Sequence, residues 1–148
     1  MAIDIATIGY EKCTLAEFVA CLQAEGIQLL VDVREVPQSR RPGFSKRQLA
    51  ASLDEAGIRY LHLKALGTPK VGRLAARSGK IAEMHRIYEV HLAEPEPQAE
   101  LDHVAELARH DRICLMCLEA DHARCHRALI CDALAPRGFA ARPLTPAA

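Results

Sequence analysis

The stretch AEGIQLLVDVREVP, residues 24–37, decides the fold class. Its apolar run at residues 29–33 is continuous rather than alternating, which is typical of a strand buried on both faces of a parallel sheet. Upstream, Thr14 and Glu17 have the spacing of a capping box and open a predicted helix that the glycine of the quoted stretch ends. Another apolar run, residues 3–8, precedes that helix. Strand, helix and strand within about thirty residues predict a right-handed βαβ unit.

The alternation of strands and helices continues to the end of the chain. Ser45 and Gln48 repeat the capping-box spacing and open the next predicted helix. The remaining predicted elements are a strand at 58–63, an irregular basic loop at 66–80, helices at 81–92 and 98–110 around the turn EPEP, a strand at 113–118, a helix at 126–134 and an edge strand at 140–144. We therefore expect an α/β fold, a single three-layer sandwich with a mostly parallel sheet of four to five strands. It forms one domain over residues 1–148, with Val31 and Leu115 in central strands.

The composition excludes several classes of protein. The chain has 148 residues, 50% of them hydrophobic and 26% charged, which excludes a disordered chain. No segment approaches the ~18 apolar residues of a membrane span, and the N-terminus does not resemble a signal peptide. Six cysteines without an export signal indicate reduced thiols. We expect a cytoplasmic protein with no membrane partner and no cofactor, and we leave its oligomeric state open, a homodimer included.

Charge is distributed unevenly along the chain although the formal net charge is zero. Residues 34–86 contain twelve Lys and Arg against four acidic residues, a local excess of eight. One interpretation is an anionic partner near this region, either a small molecule or a nucleic acid. The other is a solvated face whose counter-charges lie elsewhere on the surface.

Polar residues follow the predicted strands, at the edge of the sheet where open α/β folds bind ligands. Tyr10 follows the first strand, Arg34 follows the second, and His62 lies late in the third. Ser39 and Arg40 occupy the loop after the second strand. We predict that these five residues bind the substrate, with the two arginines as ligands for an anion.

Asp32 interrupts an apolar strand, where a carboxylate is unfavourable unless it is paired or hydrogen-bonded. One interpretation is a structural carboxylate that accepts hydrogen bonds from the backbone amides of a neighbouring loop. The other is a catalytic acid or base. Arg34 has the same strand parity, so the two side chains are expected on one side of the sheet.

The segment CLEADHARCHR, which starts at Cys117, carries the strongest chemical signal. It places Cys125, His126 and Arg127 at a helix start, where the helix dipole and nearby cations favour a thiolate. Backbone amides and the Arg127 guanidinium also suit an approaching anion. Glu119 is a candidate to orient His126 or Arg127, or to act as a general base. The alternative is that both cysteines are small buried hydrophobic residues.

A structural zinc site is not expected from the cysteine spacing. Cys114 and Cys117 lie three residues apart in one predicted strand, so their side chains point to opposite faces and do not chelate one ion together. Cys117, Cys125 and His126 are the remaining ligand set, but adjacent cysteine and histidine ligands are not the usual zinc-finger spacing. We therefore assign no metal-binding residue.

Four segments of the chain resemble, in order and spacing, the family called Domain of Unknown Function 488. They are TIGY, LVDVREVPQSRRPGFS, AGIRYLHLKALG and LMCLEADHARCHR. The resemblance covers nearly the whole chain and implies a compact α/β fold without a settled activity. The recurring positions that it implies are Asp32, Arg34, Ser39, Arg40, Phe44, His62, Gly67, Cys117, Glu119, Cys125, His126 and Arg127. Tyr10 stands where the family often has a histidine, and the chain is shorter than the family after its LG loop.

A weaker resemblance is to rhodanese-like domains, which have a similar LVDVRE strand and a cysteine that ends a later strand. It implies sulfur transfer as an alternative activity. The loop after the cysteine is longer here and lacks the glycine-rich anion cradle of those domains, and a shared fold does not fix a function.

The residues together predict a small enzyme that acts on an anionic substrate, such as a nucleotide or a nucleic-acid component. The predicted catalytic residues are Cys117, Glu119, Cys125, His126 and Asp32, and Arg127 joins the substrate-binding residues. Either cysteine is the nucleophile, or the two form a reversible thiol pair. One alternative is a non-catalytic nucleic-acid or nucleotide binding module that stacks bases on Phe44, Tyr60 and Tyr88. The other alternative is rhodanese-like sulfur transfer or thiol redox chemistry.

Overall fold

A sheet of five parallel strands organises the computed structural model, which describes residues 2–146. The strands are β1 (Ile3–Gly9), β2 (Leu29–Asp32), β3 (Arg59–His62), β4 (Ile113–Cys117) and β5 (Phe139–Leu144), in the spatial order β3-β2-β4-β1-β5. The helices are α1 (Leu15–Ala24), α2 (Lys46–Glu55), α3 (Lys70–Arg77), α4 (Ile81–Leu92), α5 (Pro95–His110) and α6 (Arg127–Leu134). The predicted α/β fold is confirmed, and Val31 and Leu115 lie in strands inside the sheet.

Helices cover both faces of this sheet, and the alternation of side chains along β4 separates two buried cores. Leu115 and Cys117 belong to the core that is covered by α3, α4, α5 and α6. Cys114 and Met116 belong to the core that is covered by α1 and α2. Burial on both faces explains why the strands read as continuous apolar runs. No helix within residues 2–146 has the length and apolar character needed to cross a membrane.

One of the two predicted capping boxes forms. The Glu17 amide donates to Oγ1 of Thr14 at 3.1 Å, and the Thr14 amide donates to Oε1 of Glu17 at 2.8 Å. The capping box predicted at Ser45 is wrong, because its hydroxyl makes no cap bond to α2. Oγ of Ser45 instead accepts from the Ser39 amide at 3.1 Å and donates to the Ser39 carbonyl at 3.3 Å. Ser45 therefore fixes the loop after β2.

The irregular loop predicted over residues 66–80 is also wrong, because helix α3 lies within it. From the sequence alone, Gly72 indicates a loop rather than a helix, but in the structure it has a packing role. A Cβ at this position would lie 2.6 Å from Cγ2 of Thr68, so glycine lets the helix approach the preceding turn. The predicted turn EPEP is largely the first turn of α5, which starts at Pro95, a position that proline favours.

The connections from β1 and β4 run in opposite directions across the sheet. The chain passes from β1 beyond β4 to reach β2, and it passes from β4 beyond β1 to reach β5. β1 and β2 are therefore not neighbours, although a βαβ unit was predicted from them. Open parallel sheets bind ligands outside the carboxyl ends of strands whose connections diverge in this way. Gly9 and Cys117 are paired at that point.

Candidate functional site

A cleft of about 550 Å³ opens at the carboxyl ends of β1, β2 and β4. Tyr10 follows β1, Arg34 follows β2, and Cys117 ends β4, and all three line the cleft. Arg77 and Met84 line it from α3 and α4, so the helix that sequence reasoning missed forms part of one wall. The predicted location at the carboxyl edge of the sheet therefore coincides with a cleft.

A glycine seats the loop that follows β4 against the end of β1. A Cβ on Gly9 would lie 1.7 Å from the carbonyl oxygen of Glu119, so any other residue would push the loop away. The Tyr10 amide donates to the Cys117 carbonyl at 3.3 Å, and the Glu11 amide donates to the Leu118 carbonyl at 2.9 Å. These bonds extend the pairing of β1 and β4 into the cleft.

The sulfur atoms of Cys117 and Cys125 lie within bonding distance of each other, with the Cα atoms of the two residues 7.5 Å apart. The sequence predicted reduced thiols throughout, and four cysteines are free: Cys13, Cys21, Cys114 and Cys131. Cys117 lines the cleft, and Cys125 lies behind it with no exposed surface. The end of β4 and the start of α6 meet here, which brings together two cysteines that are eight residues apart.

Polar atoms face both sulfurs of this pair. Oε2 of Glu119 lies 3.4 Å from Sγ of Cys117. The backbone amide of Arg127, at the start of α6, donates to Sγ of Cys125 at 3.5 Å. Burial raises the pKa of the Glu119 carboxyl. We call Cys117, Glu119, Cys125 and His126 the thiol cluster.

His126 presents one nitrogen to the sulfurs and the other to the backbone. Its Nε2 lies 2.7 Å from the carbonyl oxygen of Val33, and a carbonyl only accepts, so Nε2 carries a proton and donates it. Burial lowers the pKa of His126 to about 4, so the ring is neutral at pH 7. Nδ1 therefore has a free lone pair, and it lies 3.5 Å from Sγ of Cys125. This nitrogen can accept a proton from the Cys125 thiol or bind a metal ion.

A second buried group of polar side chains surrounds Asp32. Arg34 donates to the two Asp32 oxygens through Nε at 2.9 Å, Nη2 at 2.8 Å and its backbone amide at 3.1 Å. The Tyr60 hydroxyl donates to Oδ2, and burial together with the Asp32 carboxylate raises the pKa of Tyr60, so that the hydroxyl keeps its proton. Nη1 of Arg34 donates to the Tyr10 hydroxyl and the Phe44 carbonyl. We call Asp32, Arg34, Tyr10 and Tyr60 the arginine cluster.

Asp32 lies within the arginine cluster, whereas a catalytic acid or base is expected to face the cleft. Asp32 is fully buried, does not line the cleft, and has both oxygens engaged by donors. Its geometry agrees with the structural interpretation, except that the main donor is the Arg34 side chain rather than a loop amide. Arg34 itself lines the cleft, but its guanidinium donates hydrogen bonds to Asp32, Tyr10 and Phe44.

The other predicted substrate-binding residues are placed at different depths. Ser39 and Arg40 line an adjoining hollow that shares Tyr10 with the main cleft. Nε2 of His62 bonds the Arg34 carbonyl at 2.7 Å, outside the cleft lining. Arg127 is only 1% exposed and does not line the cleft. Its Nη2 donates to the Glu119 carbonyl at 2.6 Å, so the buried Arg127 side chain stabilises the loop after β4.

Sequence reasoning missed three arginines of the cleft, namely Arg73, Arg77 and Arg124. Arg73 pairs with Glu35. Arg77 and Arg124 are exposed and have no ion-pair partner among residues 2–146. The i, i+4 spacing of Arg73 and Arg77 was a signal for one helix face, but the segment was interpreted as a loop.

The aromatic residues expected to stack nucleic-acid bases are not available for that role. Phe44 is 1% exposed and Tyr88 is 0% exposed. Phe44 stacks on Tyr10 within the core, with ring centroids 4.5 Å apart. The Tyr60 hydroxyl is bound to Asp32. The three rings therefore do not form the predicted stacking surface, because Phe44 and Tyr88 are buried.

Fold and site together define a class of α/β protein with a cysteine pair at a cleft on the carboxyl edge of a parallel sheet. The chain belongs to the family described as Domain of unknown function DUF488, whose family model matches residues 14–134. This match confirms the family resemblance of the sequence. Comparisons with curated proteins and with solved structures gave no match to this chain. The family description names no reaction, so a functional argument rests on the site.

Proposed function

We propose that this protein is a small enzyme that acts on an anionic substrate in the cleft, with Cys117 and Cys125 as a reversible thiol pair. The observation that carries the proposal is the placement of the two sulfurs. Cys117 belongs to the cleft lining with 2% of its surface exposed, and Sγ of the fully buried Cys125 lies against Sγ of Cys117 and 3.5 Å from Nδ1 of His126. One sulfur is thus positioned to meet a substrate and the other to resolve the product.

The local environment favours the thiolate of Cys125. The amide of Arg127 donates to its sulfur at the start of α6, where the helix dipole also stabilises negative charge. Nδ1 of His126 is held facing the same sulfur by the hydrogen bond from Nε2 to Val33. His126 is therefore placed to accept the Cys125 proton and to return it to a departing group.

Thiol–disulfide exchange is the reaction that this arrangement supports best. The Cys117 thiolate attacks one sulfur of a small disulfide, a bond forms between them, and the first substrate thiolate leaves with the electron pair of the broken bond. The Cys125 thiolate then attacks Sγ of Cys117 and releases the second substrate thiolate. The substrate disulfide is reduced to two thiols, and the protein pair is oxidised to the disulfide. A low-molecular-weight thiol restores the dithiol by the reverse exchange.

Two arginines in the cleft support the proposal that the substrate is an anion. Arg77 and Arg124 line the cleft from two separate elements, α3 and the loop after β4. Their charges are not neutralised by an ion pair within residues 2–146, so an anion entering the cleft meets two free guanidinium groups. Ser39 and Arg40 in the adjoining hollow extend the polar surface towards a longer substrate.

The test compares two disulfides of opposite charge. The reduced protein is mixed with oxidised glutathione, which is anionic, or with cystamine, which is cationic, and the rate of thiol release is measured. We expect faster exchange with the anionic disulfide, and Arg77→Ala to lower that preference by roughly two- to fivefold, as for one exposed charge. Arg47, which is exposed on α2 away from the cleft lining, gives the matched control Arg47→Ala.

Cysteine variants separate the roles of the two sulfurs. Cys117→Ser is expected to abolish exchange. Cys125→Ser is expected to stop after the first step and to accumulate a mixed disulfide on Cys117, which mass spectrometry detects. Cys21→Ser, on α1 outside the cleft lining, is the matched control and is expected to leave the rate unchanged. Equal rates for Cys117→Ser and wild type would refute the proposal.

Nucleotide or nucleic-acid binding without chemistry is the alternative that the same arginines favour. AMP and a single-stranded oligonucleotide serve as competitors in the exchange assay and as ligands at low salt. Binding that weakens steeply as salt rises, together with no exchange activity, would favour the binding module. Competition by AMP together with active exchange would support a nucleotide-containing substrate for the enzyme.

A further inference from the structure

The thiol cluster brings three metal-ligating atoms to one point. The ligating atoms of Cys117, Cys125 and His126 all lie within 4.8 Å of one another, and all three residues are buried. Two thiolates and one imidazole are a ligand set that zinc prefers over harder cations. We propose that Cys117, Cys125 and His126 bind one zinc ion when the two thiols are reduced.

The imidazole is oriented as a metal ligand requires. Nε2 of His126 donates to the Val33 carbonyl at 2.7 Å, which leaves the lone pair of Nδ1 directed towards the sulfurs. Ligating histidines in proteins usually donate their second nitrogen to a carbonyl or carboxylate in this way, because the bond fixes both the tautomer and the ring plane. Val33 follows β2 directly, so the carbonyl is held by the sheet.

The spacing and hydrogen bonding of the two cysteines suit thiolates that share an ion. Their Cα atoms are 7.5 Å apart. Two thiolates bound tetrahedrally at about 2.3 Å from zinc lie roughly 3.7 Å apart, which this backbone spacing accommodates. The Arg127 amide that donates to Sγ of Cys125 further stabilises a bound thiolate.

The fourth coordination position faces the cleft. Cys117 and His126 both line the cleft, and Oε2 of Glu119 lies 3.4 Å from Sγ of Cys117 on the same side. The fourth ligand is therefore the Glu119 carboxylate or a water molecule from the cleft. Three protein ligands with a fourth position open to a cleft are typical of catalytic zinc sites rather than closed structural ones.

This proposal differs from the sequence prediction that no metal is bound. That prediction followed from Cys114 and Cys117, which indeed lie on opposite faces of β4. It also counted the adjacency of Cys125 and His126 against zinc-finger spacing. The turn of chain before α6 nevertheless places both side chains towards Cys117.

The test uses the reduced protein and two metals. Co²⁺ serves as an optical probe, because thiolate ligands give it a sulfur-to-metal charge-transfer band, and Zn²⁺ is then added to displace it. We expect saturation at one equivalent, with Cys117→Ser and Cys125→Ser each lowering the affinity by on the order of 100-fold or more, beyond the loss usual for an outer-shell change. Cys21→Ser is the control and is expected to bind as wild type does.

A measurement on the wild-type protein decides the matter where a variant fails to fold. One equivalent of Zn²⁺ is expected to protect Cys117 and Cys125 from iodoacetamide, as peptide mapping shows, and to leave Cys21 unprotected. Absence of the charge-transfer band, or unchanged alkylation of Cys117 and Cys125, overturns the zinc site. Disulfide exchange measured with a chelator present is independent of this result, so failure of the zinc site and failure of the proposed enzyme are distinguishable.

Discussion

The arginine cluster and the thiol cluster lie beside each other at the carboxyl edge of the sheet, and they differ in how fully their polar atoms are used. Asp32 accepts four hydrogen bonds, and the Arg34 guanidinium that supplies two of them also donates to Tyr10 and Phe44. In the thiol cluster, Nδ1 of His126 lies 3.5 Å from Sγ of Cys125, and Oε2 of Glu119 lies 3.4 Å from Sγ of Cys117.

This difference indicates that one cluster stabilises the fold and that the other is able to react. A buried polar group with all its partners in place holds the fold and has nothing left for a substrate. A buried group with an uncommitted atom facing a cleft keeps the capacity to take a proton or bind an ion. We infer that the arginine cluster shapes the cleft, and that the thiol cluster is the place to look for a reaction.

We expect the largest change in the free energy of unfolding from a substitution that breaks the arginine cluster. Asp32→Ala leaves the buried Arg34 guanidinium without its carboxylate, so we expect the free energy of unfolding to fall by about 3–5 kcal/mol. Urea unfolding followed by circular dichroism measures this change. Asp54→Ala, at an exposed position on α2, is the matched control and should change it by less than about 0.5 kcal/mol. A loss below about 1 kcal/mol for Asp32→Ala would mean that the ion pair does not hold the fold.

The thiol cluster gives a pH dependence in the metal-free protein. The pKa of His126 is about 4 in the folded protein and about 6.5 in the unfolded chain. Above pH 6.5 neither state binds the proton, and the free energy of unfolding is unaffected. Between pH 6.5 and pH 4 the unfolded chain binds it and the folded protein does not, so the free energy of unfolding falls, by roughly 3 kcal/mol over that window.

His126→Gln isolates this contribution from the other acid titrations. The difference in free energy of unfolding between wild type and His126→Gln is expected to shift against wild type as the pH falls through this window. Urea unfolding at a series of pH values, with a chelator present, measures it. Parallel curves for the two proteins would contradict the assigned burial of the neutral imidazole.

The close approach at Gly9 allows the loop that carries Glu119 of the thiol cluster to be displaced. Gly9→Ala places a methyl group against the Glu119 carbonyl, so we expect a loss of about 1–3 kcal/mol and a slower disulfide exchange. Gly79→Ala is the control, because Gly79 has positive φ but nothing within 4 Å of the added Cβ. It is expected to cost stability without changing exchange. The same exchange rate in both variants would show that the loop after β4 does not position the sulfurs.

The smallest effect tests how saturated the arginine cluster is. Tyr60→Phe removes one of the donors to Asp32 and leaves those of Arg34 in place. We expect a loss of about 0.5–1.5 kcal/mol in the free energy of unfolding, the contribution of one hydrogen bond. Urea unfolding of this variant beside Asp32→Ala gives the ranking. A loss as large as that of Asp32→Ala would place the main support of Asp32 on Tyr60 rather than on Arg34.

The sheet was predictable because burial on both faces leaves a direct mark on the sequence. The continuous runs around Val31 and Leu115 give the strands, and the Thr14 capping box gives the first helix. Helix α3 was not predictable in the same way. Gly72 reads as a helix breaker, and only the nearby Thr68 methyl group, which no local pattern encodes, explains it.

The location of the candidate site was predictable from the sequence, but which of its residues face the cleft was not. The rule for carboxyl ends of parallel strands placed Tyr10, Arg34 and Cys117 together. Whether Asp32 and Arg127 face the cleft or the interior depends on partners distant in sequence, such as Tyr60 and the carbonyl of Glu119. Arg77 was missed because its helix was missed.

The central claim is that Cys117 and Cys125 form a reversible pair while the other cysteines stay outside the chemistry. The direct measurement equilibrates the protein in mixtures of reduced and oxidised glutathione and maps disulfide-linked peptides by mass spectrometry at each ratio. Burial raises the pKa of Cys131 to about 12 and also raises that of Cys114, so these thiols are expected to remain unmodified. We expect one disulfide, between Cys117 and Cys125, that forms and opens reversibly as the ratio changes. No such disulfide at any ratio, or a mixture of pairings that includes Cys13 or Cys21, would contradict it.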